Sequence, residues 1–333
     1  MVDPSAAANH HAKENKELMK AVSYKYIYGP VPSRRLGRSL GIDLVPFKTC
    51  TYDCVYCQLG RTTAKTVERK EYVSVDAILS ELEEKLATGE TPDYISLAGS
   101  GEPTLNACIG ELIERIKSLT DVPLAVLTNG SLLWVKEVQD ALMAADLVLP
   151  SLDAGDEHLF QYVNRPHEEI SFENMIKGLA EFTKRFSGEV WLEVLLLGGV
   201  TGIPSEVKKI ASLIERIGPA RVQLNTVSRP PAEEYALTIP PEQMIALKAL
   251  IPGEVDIISE KGDEEPHITA PHAEDEENIL ALLNRRPCTA EDIAKSLGIH
   301  ITEVIKHLEG LSASGRVTTT SVNKRVFYVP TSK

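Results

Sequence analysis

Cysteine is scarce in this chain, with five among 333 residues. Three of the five, Cys50, Cys54 and Cys57, crowd into one C-x3-C-x2-C stretch, while Cys108 and Cys288 stand alone. That distribution does not suit a secreted disulfide framework and fits a reducing compartment, so a cytoplasmic location is expected. Positive charge is short as well. Lys and Arg number 35 against 48 Asp and Glu, a net charge of −13, which argues against a surface that embraces nucleic acid over its whole extent while leaving room for a local basic groove. Long apolar runs are also missing. The longest, Val190 to Val200, is interrupted by Glu193 and falls far below the roughly 20 residues that cross a bilayer, so no membrane span is expected. Residues 1–23 lack the basic start and continuous apolar stretch of a signal peptide, and they read as a flexible amino-terminal tail.

What the chain does contain is a rhythm. The hydrophobic content of 43% can furnish a core, and 333 residues suit one large domain with a small second one. From Ser39 onward, short apolar runs alternate with amphipathic segments, the pattern of parallel strands joined by helical crossovers. Strands are expected at Leu40–Val45, Tyr94–Ala98, Leu124–Leu127, Leu147–Ser151, Val190–Leu197 and Val222–Leu224. Their unbroken apolar character marks strands covered on both faces. Helices are expected at Asp76–Leu86, Ile109–Leu119, Val135–Ala144, Phe172–Phe186 and Ser205–Ile217, with Ser171 and the Pro204-Ser205 pair as helix starts. Counting strands does not separate an incomplete barrel from an open doubly wound sheet. In either, chemistry collects at the carboxyl ends of the strands.

Residues 24–252 therefore read as the large domain, 253–277 as a linker rich in Asp, Glu and Pro, and 278–331 as the small domain. In that last segment Ile279–Leu283, Ala290–Leu297 and Ile301–Leu311 read as helices, and Arg316–Thr319 and Arg325–Val329 as two strands about Ser321-Val322-Asn323-Lys324. Three helices followed by a hairpin resemble a winged helix-turn-helix. The third helix carries His300, Thr302, Glu303, Lys306 and Glu309, a mixed rather than basic face, so nucleic acid, peptide and protein all stand as candidate partners.

Two motifs bear on chemistry. A C-x3-C-x2-C loop supplies three soft ligands, and three thiolates on a [4Fe-4S] cluster leave one iron open to another ligand. Structural zinc is the alternative, but neither Cys108 nor Cys288 has a partner at zinc-knuckle spacing. They read as buried or incidental thiols. The second motif is Gly99-Ser100-Gly101-Glu102-Pro103, a glycine turn that ends an apolar run and delivers a carboxylate.

Together these motifs resemble those of the radical S-adenosylmethionine (SAM) superfamily, whose cysteine loop follows the first barrel strand and whose Gly-Gly-Glu-like turn ends the second. The resemblance implies an α/β fold, a partial (β/α)6 TIM-like barrel of the radical SAM type with a small C-terminal winged helix domain. It implies a [4Fe-4S] cluster on Cys50, Cys54 and Cys57, with SAM chelating the open iron. Reductive cleavage of SAM would give a 5′-deoxyadenosyl radical that abstracts hydrogen from a substrate, whether RNA, peptide or small molecule, with an electron donor such as flavodoxin or ferredoxin. By the same resemblance Gly99, Ser100, Gly101 and Glu102 would meet the methionyl amine and Tyr56 would border the adenine. Asn129 (in Thr128-Asn129-Gly130), Ser151 and Asp153 at strand ends, and Glu193 inside the fifth strand, are further candidate SAM contacts. A buried acid such as Glu193 calls for a cationic partner, and a salt bridge across the barrel floor is its competing reading.

Gly29-Pro30-Val31-Pro32-Ser33-Arg34-Arg35 through Cys57 is similar to an uncharacterised branch of iron-sulfur oxidoreductases, more distantly to wybutosine-forming tRNA enzymes. No amino-terminal cysteine set for a second cluster accompanies it. Arg34, Arg35 and Arg38 would grip an anionic substrate or merely pair with the chain's excess acids. The rival reading is an iron-sulfur redox sensor or transcriptional regulator that uses the winged helix on DNA. A sensor needs neither a six-unit scaffold nor a turn that holds SAM.

Overall fold

The computed structural model describes residues 24–258 and 275–331. The expected tail at 1–23 and most of the expected linker at 253–277 lie outside the described residues. The framework is a sheet of eight strands. β1 (Ile27–Ser33) pairs antiparallel with β2 (Gly37–Ile42), and a short pair, β3 (Thr49–Cys50) and β4 (Ala64–Lys65), brackets the cysteine loop. Then follow α1 (Val75–Ala87), β5 (Tyr94–Leu97), α2 (Ile109–Leu119), β6 (Leu124–Thr128), α3 (Lys136–Ala141), β7 (Leu147–Pro150), α4 (Glu157–Val163), α5 (Phe172–Arg185), β8 (Glu189–Leu196), α6 (Pro204–Ile217), β9 (Arg221–Thr226), α7 (Pro241–Lys248) and β10 (Val255–Ile257). The order is β1-β2-β5-β6-β7-β8-β9-β10, parallel from β2 onward, which is an α/β fold consistent with a partial barrel.

All six expected strands form. The sheet also takes in β1 and β10, and β10 falls inside the segment expected to be linker because Val255 pairs with Val222. The sheet is curled. In a flat sheet β8 would stand about 19 Å from β2, at 4.7–4.9 Å per strand, yet Arg35 in the β1–β2 turn donates to the Glu193 carboxylate on β8. Leu36 beside it is buried with Ala125, Leu147 and Leu149 of β6 and β7, so this turn plugs the interior at one end.

The helices follow from their apolar stripes. In α5, Phe172, Met175, Ile176, Leu179 and Phe182 recur at i, i+3, i+4 spacing and are all buried. Each such side chain contributes about 1.5–3 kcal/mol through removal from water. Ser171 caps α5 by accepting from Asn174 N. α6 opens with Pro204, where a missing N–H costs nothing, and stops at Gly218 with φ of 67°. α3 is shorter than the expected Val135–Ala144 and ends at Ala141.

A second core lies downstream. α8 (Asp275–Arg285), α9 (Ala290–Leu297) and α10 (Ile301–Ala313) precede the hairpin of β11 (Val317–Val322) and β12 (Arg325–Pro330). Ile279, Leu283, Ile293, Val304, Leu308 and Leu311 pack together there, with Cys288 buried among them. Thr289 and Asp292 form a reciprocal capping box at the start of α9. Asn323 and Lys324 both have positive φ, 51° and 65°, which tightens the expected four-residue connection to a two-residue turn whose twist suits a hairpin. No helix among the described residues is long and apolar enough to cross a membrane.

Candidate active site

The cysteine loop and the glycine turn meet at the carboxyl ends of β2 and β5. Lys48 N donates to Ser100 O at 2.7 Å and Glu102 N to Thr49 O at 3.1 Å, so the strand leading into Cys50 is laced to the turn. Glycine is obligatory at both of its positions. A Cβ on Gly101 would sit 1.8 Å from Thr49 O. Gly99 has φ of +113°, and a Cβ there would sit 2.1 Å from Asp43 Oδ1. Asp43 instead accepts the Ser100 N–H at 2.8 Å. Gly99 is exposed, with Ser100 and Gly101 half-buried, so a ligand has access to the turn.

Glu102 points the other way. Its carboxylate is buried and accepts from Thr104 N (3.0 Å), Thr104 Oγ1 (2.6 Å), Thr128 Oγ1 (2.6 Å) and Asn129 N (2.8 Å). Burial raises its carboxyl above the ordinary range, and those four donors oppose the rise. Glu102 thus clamps the end of β6 to the turn. Asn129, held in this way, donates its amide to Thr51 Oγ1 at 2.7 Å and to Cys50 Sγ at 3.6 Å.

On the opposite side Tyr56 OH donates to Asp153 Oδ2. Asp153 also accepts from Asn164 Nδ2 at 2.9 Å and, on its other oxygen, from Leu195 N at 3.0 Å. Burial pushes its carboxyl up to about 6 against these hydrogen bonds. Asn164, which has no sequence signature beyond its place after α4, reaches Cys54 Sγ at 3.5 Å. Its carbonyl oxygen is buried without a hydrogen-bond partner.

The remaining expected residues, Ser151 and Glu193, are half-buried and lie side by side, at the end of β7 and on β8. Ser151 forms a backbone bridge to Glu193. Glu193 is engaged by Arg35 and by Asn225 Nδ2 at 3.1 Å, the salt bridge of its competing reading, and its charge also acts on Asp153. Arg35 thus pairs with one of the chain's own acids, the second of its two expected uses.

The donor set suits an iron-sulfur cluster. Burial and then Glu102 push the Cys50 thiol up to about 12, burial and then Cys50 hold Cys54 well above its ordinary value, and burial raises Cys57. On binding a cation, desolvated thiols of this kind lose their protons to solvent, and the cation's charge offsets the burial of the thiolate. Among the described residues no three His, Cys, Asp or Glu side chains close on a single ion. Ligands sharing one zinc stand about 3.8 Å apart for Zn–S bonds of 2.3 Å, whereas a cubane takes each thiolate on a different iron and a wider triangle. Asn129 and Asn164 then stand as amide donors to two of the three sulfurs.

The family described as "Radical SAM superfamily" matches residues 44–214. A "GTPase Obg" of Brachyspira hyodysenteriae is 41% identical over 95% of this chain, which spans only 46% of that protein. This chain has no Gly-Lys step and so no G-x4-G-K-[ST] phosphate loop. A UPF0026 protein of Methanocaldococcus jannaschii is 35% identical over 80% of this chain and 89% of its own length. Among solved structures, a radical SAM methyltransferase from Sphaerobacter thermophilus shares the fold with a TM-score of 0.51 at 17% identity, over 66% of each chain.

Proposed function

Because the chain belongs to the radical SAM superfamily and to the UPF0026 proteins, we propose that Cys50, Cys54 and Cys57 hold its cluster and that the Gly99–Gly101 turn, with Tyr56, Asn129, Asp153 and Asn164 around it, holds SAM. The cofactors of the family are a [4Fe-4S] cluster and SAM, which together supply reductive cleavage of the sulfonium bond and a 5′-deoxyadenosyl radical for hydrogen abstraction.

The observation that carries the reading is the joining of the cysteine loop to the exposed glycine turn, with three thiols on one side and an open backbone on the other. The chain's part is positional. Glu102 sets Asn129, Asp153 sets Tyr56, and Asn129 and Asn164 place amide protons against thiolate sulfur. Hydrogen bonds to cluster sulfurs set the ease of reduction. Ser151 and Glu193 act behind this shell by linking β7 to β8 and closing the floor. The electron donor is of the flavodoxin or ferredoxin class, and the site of action is the cytoplasm.

The carboxy-terminal helices and hairpin act as a winged helix-turn-helix domain over 278–331 that recognises the substrate or its carrier. The exposed face of α10 carries Thr302, Ile305, Lys306 and Glu309, and Lys306 is paired with Glu303. This face favours a peptide or protein partner over nucleic acid. A redox sensor or transcriptional regulator is not favoured, since a reporter has no use for the curled sheet and the open turn.

The test is anaerobic reconstitution with iron and sulfide, reduction, addition of SAM and measurement of 5′-deoxyadenosine by mass spectrometry, with Cys54→Ala alongside. Formation by the wild type alone is the expected result. A fully loaded wild type that neither binds SAM nor forms 5′-deoxyadenosine overturns the proposal.

A further inference from the structure

The unit built from α8–α10 and the β11–β12 hairpin packs α9 against β1 and is tied to the curled sheet by two arginines. Arg285, the last residue of α8, donates to Asp43 Oδ2 at 2.8 Å and lies over the Tyr28 ring, 4.4 Å from its centroid. Asp43 follows β2 directly, and its other oxygen accepts the Ser100 N–H at 2.8 Å. Two residues beyond Arg285, Pro287 O accepts from Arg229 Nη1 at 2.7 Å, and the same nitrogen reaches Asp292 Oδ2 at 3.0 Å. Arg229 stands just past β9. The loop between α8 and α9 is therefore tied at once to the carboxyl end of β2 and to that of β9. These strands are second and seventh in the sheet order of eight, so the loop bridges strands far apart in the sheet.

We propose that the carboxy-terminal unit completes the SAM site, with Arg285 as a positioning residue that holds Asp43, and through Asp43 the Ser100 amide, in the geometry that seats SAM. The inference rests on the reading of the Gly99–Gly101 turn as the SAM seat. Its physical basis is a relay of charge and hydrogen bonding. Asp43 is buried, and burial raises its carboxyl, while Arg285 is the leading influence that opposes the rise. An ionised Asp43 accepts the Ser100 N–H more strongly than a protonated one. The Ser100 side chain also hydrogen-bonds this carboxylate, and Tyr28 beside it is pushed up to about 12 by burial and by Asp43, so it presents a neutral phenol and leaves Arg285 as the leading counter-charge. No Cβ at Gly99 separates Asp43 from the turn. Removal of Arg285 leaves a buried carboxylate without its cation and frees the turn it anchors.

The experiment compares wild type, Arg285→Ala, Arg285→Lys, Asp43→Asn and Gly101→Ala. Hydrogen exchange of the peptide containing Ser100 is read in protein without cluster or SAM. The dissociation constant for SAM is read by equilibrium dialysis on reconstituted protein with iron content matched. Expected are faster exchange at the turn and at least tenfold weaker SAM binding in Arg285→Ala and Asp43→Asn, with partial recovery in Arg285→Lys. Arg285→Ala that binds SAM and exchanges like the wild type, while Gly101→Ala loses SAM, overturns the inference and leaves the reading of the turn standing. A loaded wild type that does not bind SAM overturns both.

Discussion

Asp153 is held almost out of solvent between the Tyr56 phenol, the Asn164 amide and Leu195 N, and burial lifts its carboxyl from 3.8 to about 6. A folded-state carboxyl raised above its unfolded value binds protons better in the fold, so its contribution to stability is greatest below pH 4 and declines as pH rises to about 6. The decline is worth roughly 3 kcal/mol at about 1.4 kcal/mol per pH unit. Asp153→Asn removes this dependence. In urea denaturation of the cluster-free protein, the variant is expected to gain on the wild type between pH 4 and 7, and parallel stability curves would sink the assignment. At this scale the cysteines and glycines were legible because thiolate chemistry and backbone conformation demand particular residue types. Asn164 was not, since an amide that reaches Cys54 from 110 residues away leaves no local spacing. Glu193 was legible as a charge needing a partner, but nothing in the sequence chose Arg35.

At the scale of elements, apolar runs and amphipathic stripes located all six expected strands, because two-sided burial and a 3.6-residue period are local properties. β1 and β10 escaped notice for the opposite reason. β1 carries Pro30 and Pro32 and reads as a loop, and it is a strand because β2 supplies an antiparallel neighbour. β10 is three residues long and exists through pairing with β9. The β11–β12 turn offers a prediction. Lys324 occupies the left-handed region with φ of 65°, where a side chain costs about 1–2 kcal/mol. Lys324→Gly is expected to stabilise the protein by roughly 0.5–1 kcal/mol, the balance between relieved strain and greater unfolded-state freedom. Thermal denaturation reads the change, and a loss of stability would contradict the two-residue turn.

Among the described residues the two larger hydrophobic clusters lie one around the sheet and one among α8–α10. Charged and polar contacts at Arg285 and Arg229 join them alongside the packing of α9 on β1. Exchanging both arginines for alanine is expected to separate the unfolding of the two cores, so that calorimetry shows two transitions further apart than in the wild type. A heat-capacity profile unchanged by the double substitution would mean that these contacts do not couple the units.

The sequence by itself determined the chemistry-bearing residue types and the local elements, because thiolate ligation, glycine backbone freedom and hydrophobic period are written over a few residues. Only the tertiary structure decided which acid faces which base. Arg35 turns inward to Glu193, Glu102 serves the backbone of Asn129, and Arg285 reaches Asp43 from 242 positions away. The first pairing depends on the curl of the sheet, the second on β5 and β6 lying side by side, and the third on how the carboxy-terminal unit docks, none of which is written in local sequence.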